Sequence, residues 1–148
     1  MMAGGLFFVL LVLDQLVKGL VTLTMMPGES VPVIKNFFHI TYVLNPGAAF
    51  GILPHQSWFF ILAGAAMIAA FCFYYPRLRR HCAFYHYGCV ALLSGAVSNL
   101  IDRVRSGLVI DFFDFRVWPV FNIADIAIVL GVISMIYAIL YKEKETDE

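Results

Sequence analysis

Charge is what this sequence has least of. Ten basic and ten acidic residues make up only 14% of its 148 residues, and they cancel to a formal net charge of zero. The chain therefore lacks the excess of positive charge with which proteins bind nucleic acids, and we expect no nucleic-acid partner. Apolar residues reach 61% of the chain, against roughly 45–50% in soluble domains. In water this composition would expose too much apolar surface, so it favours an integral membrane protein.

Sequence patterns that hold a metal ion or activate a nucleophile are missing too. The three cysteines form no CxxC pair and the four histidines form no HExxH motif, so we expect neither a metal nor another cofactor. No GxSxG motif is present, and no histidine or lysine lies at helical spacing from Ser94 or Ser98 to activate it. The GxGD motif of one group of membrane aspartyl proteases is also missing. The carboxylates are then the candidates for chemistry.

Four apolar stretches come close to the roughly 20 residues that a membrane-crossing helix needs. They lie at approximately 4–24, 58–75, 84–103 and 120–141. The first has no basic residues before it and is interrupted by charge, so we interpret it as a retained helix rather than a cleaved leader. By length the chain is one domain, 1–148. The sequence thus predicts an all-α membrane protein, a bundle of four transmembrane helices.

The orientation of this bundle follows from its basic residues. An even number of spans leaves both termini on one side, and that side carries most of the bases that flank the spans: Arg77, Arg79, Arg80, Lys142 and Lys144. Positive charge flanking spans favours the cytoplasm. On the opposite side, segments 29–53 and 107–120 are rich in β-branched and aromatic residues around turns. They predict a small β-rich extracytoplasmic portion at the membrane surface.

Ionisable residues inside the spans are few, and each costs at least about 2.5–3.5 kcal/mol at the centre of a membrane. In the first span, Asp14 and Lys18 are four residues apart and share a helix face, so they can form an ion pair. Two interpretations remain open for this pair. It is either a self-neutralised pair that faces the bundle or a polar wall beside an active site.

The third and fourth spans share a pattern in which an asparagine precedes an aspartate by three residues, Asn99 before Asp102 and Asn122 before Asp125. This step places each amide one turn from its carboxylate on the same helix face. Arg103 lies at the end of the first of these faces. Each acid alone has an ordinary explanation: Asp125 as an acid at a helix N-terminus, and Asp102 as the partner of Arg103 in an ion pair. One span ends and the next begins at these acids, so both lie at a similar depth near the outer end.

Two acids close together in a site of low dielectric do not both ionise easily, so they share one proton. The ionised acid can take a proton from water while the neutral acid donates a hydrogen bond to the scissile carbonyl. The sequence therefore predicts Asp102 and Asp125 as the catalytic pair of an aspartic endopeptidase.

Five strings in order along the chain resemble the lipoprotein signal peptidase (signal peptidase II) family. They are DQLVK at 14–18, NPGAAFG at 45–51, SNLIDR at 98–103, VIDFFDF at 109–115 and FNIADIAI at 121–128. The resemblance covers essentially the whole chain. Pro46 and Gly19 depart from residues common in the family, but neither belongs to the predicted pair.

This resemblance implies an intramembrane aspartyl endopeptidase in the bacterial inner membrane, with its active site near the outer face. It implies cleavage of diacylglyceryl-modified prolipoproteins just before the lipidated cysteine, with no cofactor and with Asp102 and Asp125 catalytic. We also expect membrane lipid as a further partner, and a monomer. We expect the segments around 45–51 and 109–115 to clamp the extended peptide. The residues expected to contact substrate or to support the site are Asp14, Lys18, Asn45, Gly47, Asn99, Arg103, Asp111 and Asn122.

Two other classes of protein fit part of the pattern. A small four-helix proton-coupled transporter would use Asp14 as its titrating acid, and a non-catalytic membrane subunit would use its polar residues to bind neighbouring helices. A transporter of this kind needs one acid near the middle of the membrane and has no use for two acids near one face. The placement of the carboxylates therefore favours the peptidase.

Overall fold

The computed structural model describes residues 2–47, 56–78 and 82–142. Its helices are α1 (Met2–Thr24), α2 (Ser57–Leu78), α3 (Ala83–Ser106) and α4 (Ile123–Tyr137), the last extended by a π-helical turn at Ala138–Lys142. Its strands are β1 (Ser30–Ile34), β2 (Phe38–Asn45) and β3 (Val109–Asp114). Arg79, Arg80 and Lys144, which carry part of the predicted orientation, and residues 48–51 of the predicted clamp lie outside the described residues.

Within these ranges, three helical segments are long and apolar enough to cross a membrane: Gly4–Thr24, Ser57–Arg77 and Ile123–Tyr141. The predicted apolar spans are confirmed for these three. The fourth predicted stretch is also helical, over Ala83–Ser106, but it carries more charged and polar residues than the others. Its position explains its composition, because α3 packs against α4 most extensively and also against α1 and α2. A helix enclosed by others can keep polar side chains away from lipid.

Glycines let α3 and α4 approach each other closely. A Cβ atom built on Gly95 would overlap the carbonyl oxygen of Ala124, and one built on Gly131 would overlap the carbonyl oxygen of Gly88. In a membrane, small residues allow two backbones to gain dispersion contacts that larger side chains would prevent. This contact fixes the start of α4 against the middle of α3.

The three strands form one antiparallel sheet in the order β1-β2-β3. The predicted β-rich portion, drawn from the segments after the first and third helices, is confirmed. The register places Asn45 opposite Val109 and Val43 opposite Asp111, with an irregularity between Ile40 and Val43. The sheet packs on α1 through a buried cluster that contains Val21, Tyr42 and Phe112.

A sharp turn after α3 brings β3 back beside the end of that helix. Gly107 has a φ of 77° and donates its N–H to the carbonyl of Arg103, a C-terminal cap in the left-handed region that glycine adopts at little cost. The end of α3, all of β3 and the start of α4 therefore meet at one end of the molecule. Each of these elements carries an aspartate to that end: Asp102, Asp111 and Asp125.

Candidate active site

A cavity of about 820 Å³ lies between α2, α3, α4 and β3. Its polar lining consists of Asn45, Asn99, Arg103, Asp111 and Asp125. The rest of its wall is apolar and includes Phe60, Ala63, Met67, Leu100, Trp118 and Val129. A mostly apolar cavity with a few converging polar groups is the usual form of a small-molecule or catalytic site.

Asp125 owes its position to the first turn of α4. Asn122 has an extended backbone (φ −129°, ψ −179°) and caps the helix. Its Oδ1 accepts a hydrogen bond from the N–H of Asp125 at 2.8 Å, and its own N–H donates to Oδ2 of Asp125 at 3.3 Å. This reciprocal capping box satisfies free N–H groups and places the carboxylate at the positive end of the helix dipole. The three-residue step between Asn122 and Asp125 is therefore a capping motif.

Asn122 also joins Asp125 to Asp111. Its Nδ2 donates to Oδ1 of Asp111 at 2.7 Å, and Asn45 donates to Oδ2 of the same carboxylate at 2.9 Å. Asp111 is only 1% exposed. Burial raises the pKa of Asp111 and the neighbouring Asp125 adds to the rise, while the two asparagine hydrogen bonds and Lys18 oppose it, and the net pKa is about 7. Asp111 is thus an acid that titrates near neutral pH.

The carboxylate of Asp125 faces the cavity and is half-buried. Its Oδ1 accepts a hydrogen bond from Nδ2 of Asn99 at 2.8 Å. Since Asn122 Nδ2 also donates to Oδ1 of Asn99 at 3.1 Å, two asparagines connect the two acids that line the cavity. An amide donor at each oxygen fixes both carboxylates in place.

Asp102 lies in a different environment from the one the sequence predicts. Among the described residues, Asp102 does not line the cavity, and it is only 4% exposed. Its oxygens accept from Lys18 Nζ at 2.7 Å, Gln15 Nε2 at 2.9 Å and the N–H of Ile110 at 3.3 Å. The structure brings Asp111, and not Asp102, to the cavity beside Asp125. The repeated Asn–x–x–Asp spacing does not reveal this, because it marks a helix start in α4 and a helix interior in α3.

Lys18 connects Asp102 to Asp14, and we call these three residues the ion cluster. Lys18 Nζ lies 2.8 Å from Oδ2 of Asp14 and 2.7 Å from Oδ2 of Asp102, and it donates to Oδ1 of Asn99 at 2.9 Å. Asp14 is fully buried and accepts from Ser98 Oγ at 2.6 Å and from the N–H of Ala124 at 2.9 Å. The Asp14–Lys18 pair is thus a buried ion pair that includes a third partner, Asp102, and that contacts Asn99 at the cavity.

Arg103 and Gly47 form the outer edge of the cavity. Nη2 of Arg103 donates to the carbonyl of Gly47 at 2.9 Å, and its guanidinium lies 4.7 Å from the ring centre of Phe60. The N–H of Gly47 donates to Oδ1 of Asn45 at 3.0 Å. The side-chain oxygen of Asn45 thus holds the chain after β2, while its amide nitrogen holds Asp111.

Sequence reasoning missed two residues of this network. Gln15 donates to Asp102, and Ser98 donates to Asp14. Each stands next to a residue that the sequence singles out, Gln15 after Asp14 and Ser98 before Asn99. Their presence within two of the five strings is the signal that could have identified them. Across the described ranges, no three His, Cys, Asp or Glu side chains are grouped as metal ligands.

Buried carboxylates that converge on a cavity between apolar helices mark a functional site in a membrane protein. The family model for signal peptidase (SPase) II matches residues 6–141, and the chain belongs to that family. The lipoprotein signal peptidase of Pelotomaculum thermopropionicum is 46% identical over 132 residues, which cover 89% of this chain and 87% of that protein. That of Clostridioides difficile is 44% identical over 143 residues, covering 94% and 96%.

Solved structures lead to the same class. One described as a bacterial membrane enzyme determined by the in meso method at 2.3 Å resolution superposes with a TM-score of 0.91. It is 32% identical and covers 99% of this chain and 92% of its own. A second bacterial membrane enzyme superposes with a TM-score of 0.85 at 33% identity. The resemblance found in the sequence is confirmed, and the protein is a bacterial membrane protease of this family rather than a transporter.

Proposed function

We propose that this protease is an aspartic endopeptidase that removes the signal peptide from diacylglyceryl-modified prolipoproteins just before the lipidated cysteine, and that Asp111 and Asp125 are its reacting pair. The observation that carries the proposal is that both acids line one cavity and that the side chain of Asn122 joins the carboxylate of Asp111 to the backbone N–H of Asp125. The sequence instead pairs Asp125 with Asp102. Asp102 is bound by a lysine behind the cavity wall, an arrangement that suits a structural carboxylate.

The pair can perform hydrolysis with a single shared proton. Asp125, ionised, takes a proton from a water molecule as the water oxygen attacks the scissile carbonyl carbon. Asp111, whose pKa is raised to about 7, donates its proton to the carbonyl oxygen. When the C–N bond breaks, Asp125 passes its proton to the leaving amine and Asp111 recovers its own from the hydroxyl. The pair returns to its starting protonation state.

The apolar part of the cavity suits a substrate that carries a lipid. The wall formed by α2 and α4 includes Phe60, Met67 and Leu130, which offer acyl chains a surface like that of the membrane core. The polar residues line the same cavity. A lipidated cysteine placed with its acyl chains on the apolar wall would present its preceding peptide bond to the two acids.

We further propose that α3 is a fourth membrane span, so that both termini are cytoplasmic and the cavity opens near the outer face. Its 24 residues are long enough to cross, and its polar side chains, Ser94, Ser98, Asn99 and Asp102, are buried against other helices. We also propose that the protein acts as a monomer. Gly47 and β3, at the cavity edge, would hold the extended peptide.

The test is a prolipoprotein processing assay in detergent or lipid with Asp102→Asn, Asp111→Asn and Asp125→Asn, each checked for folding by its melting temperature. We expect Asp111→Asn and Asp125→Asn to lose ~10³-fold or more in kcat, the scale of general acid–base catalysis. Asp102→Asn should keep residual activity with both limbs of the pH profile, because both reacting acids remain. A folded Asp111→Asn enzyme that cleaves at the wild-type rate would refute the assignment of Asp111.

A further inference from the structure

The orientation of the Asn99 amide decides what Asp125 meets. The two ends of an asparagine amide have nearly the same shape, but the oxygen only accepts hydrogen bonds and the nitrogen only donates them. In the structure Nδ2 of Asn99 donates to Oδ1 of Asp125 at 2.8 Å. Turned by half a rotation, the amide would present its oxygen to a carboxylate oxygen, and the hydrogen bond would be replaced by repulsion. Some neighbour must therefore select one orientation.

Two donors on the oxygen side of the Asn99 amide select this orientation. Oδ1 of Asn99 accepts from Lys18 Nζ at 2.9 Å and from Asn122 Nδ2 at 3.1 Å. An ammonium group has three donors and cannot accept, so Lys18 tolerates only the oxygen of Asn99. It is also the shorter and the charge-assisted contact of the two, which makes it the stronger. Lys18 is 2% exposed, so water does not compete for this position.

We propose that Lys18 is a positioning residue for the reaction, because its ammonium holds Asn99 with the donor end towards Asp125. Oδ1 of Asp125 then accepts from Asn99 while Oδ2 accepts from the N–H of Asn122 at 3.3 Å. These two contacts hold the carboxylate of Asp125 in place as the proton-accepting member of the pair. This inference rests on the proposed function, in which Asp125 is the base.

A purely structural role for Lys18 would look different. Lys18 offsets part of the buried negative charge of Asp14 and Asp102, and any uncharged replacement loses that effect. Only a replacement with a donor can still hold the oxygen of Asn99. Lys18→Met and Lys18→Gln are therefore a matched pair, because both remove the cation but only glutamine retains an N–H donor.

The experiment compares kcat and KM of the two variants on a diacylglyceryl-modified prolipoprotein, per folded protein in the same detergent. We expect Lys18→Met to lose on the order of a hundredfold in kcat, as a misplaced catalytic group does, with KM little changed. Lys18→Gln should recover about tenfold or more of that loss. In an Asn99→Ala background the two variants should have equal kcat. Equal kcat for the two variants in the wild-type background would overturn the inference.

If neither variant folds, magnetic-resonance distances in the labelled wild-type protein in lipid test the same contacts. Dipolar contacts are expected from Lys18 Nζ to Asn99 Cγ and from Asn99 Nδ2 to Asp125 Cγ, and the absence of either would overturn the inference. The proposed function is judged separately by Asp125→Asn. Normal cleavage by that folded variant would refute the proposed function itself, whereas an inactive Asp125→Asn together with equal Met and Gln variants refutes only the role of Lys18.

Discussion

Two groups of acids lie on either side of Asn99, and they differ in the groups that stabilise them. In the ion cluster, Asp14 and Asp102 share the ammonium of Lys18. In the cavity, Asp111 and Asp125 are held by asparagine amides. Amides offset the cost of burying a carboxylate only in part, as the raised pKa of Asp111 shows. The comparison teaches that the ion cluster stabilises the fold and that the cavity pair retains the capacity to exchange a proton.

The largest expected effect on stability comes from breaking the ion cluster. Asp14→Ala removes a partner of Lys18 and the acceptor for the N–H of Ala124, and loss of one partner of a buried ion pair costs about 3–5 kcal/mol. We expect a melting temperature far below that of the wild type, measured in one detergent. Cys72→Ser, at an exposed position, is the control and should melt with the wild type. An Asp14→Ala protein as stable as this control would contradict the role of the ion cluster.

In the cavity, by contrast, ionisation of Asp111 should destabilise the folded protein. The folded-state pKa of Asp111, about 7, lies above the unfolded value of about 3.9, so the folded protein binds the proton more tightly. Its contribution to stability is present below pH 4 and is lost as the pH rises to 7, a change of up to about 4 kcal/mol. Asp111→Asn removes this dependence. Denaturation at pH 4 and pH 8 should show a smaller difference for the variant than for the wild type, and an unchanged difference would contradict it.

Gly95 lies at the contact between α3, which carries Asp102 of the ion cluster, and α4, which carries Asp125 of the cavity. Its substitution should therefore disturb both groups of acids. A Cβ atom there would overlap the carbonyl of Ala124, whose N–H bonds Asp14 and whose neighbour is Asp125. Overpacking of this kind costs typically about 1–3 kcal/mol. We expect Gly95→Ala to lower both the melting temperature and the kcat, whereas Gly19→Ala, where a Cβ meets nothing within 4 Å, should change neither. Equal behaviour of the two variants would argue against a close α3–α4 contact beneath the site.

The smallest expected effect comes from removing one of the amides that hold the cavity acids, that of Asn45. The hydrogen bond from Asn45 lowers the pKa of Asp111, so Asn45→Ala should raise that pKa. Because Asp111 must be protonated to donate, the rate of the wild type should fall as the pH rises through about 7, and this alkaline limb should move to higher pH in the variant. The measurement is kcat/KM against pH on a prolipoprotein. A shift of the alkaline limb to lower pH would contradict the assignment of the acid to Asp111.

The sequence by itself determined the features that depend on neighbouring residues along the chain. Apolar composition identified the membrane helices, four-residue spacing gave the Asp14–Lys18 pair, and three-residue spacing gave the Asn122–Asp125 step. Each of these follows from helix geometry and solvent preference alone. The resemblance to a family also drew attention to residues that the structure places around one cavity: Asn45, Asn99, Arg103, Asp111 and Asp125.

Only the tertiary structure decided which acid stands beside Asp125. The sequence favours Asp102, because it matches Asp125 in motif and in depth. The turn at Gly107 and the register of β3 on β2 instead bring Asp111 to the cavity beside Asn45, while Lys18 holds Asp102 behind the wall. That register includes an irregularity between Ile40 and Val43. Strand register and the choice of ion-pair partner depend on contacts between residues distant in the chain, and local periodicity carries no information about them.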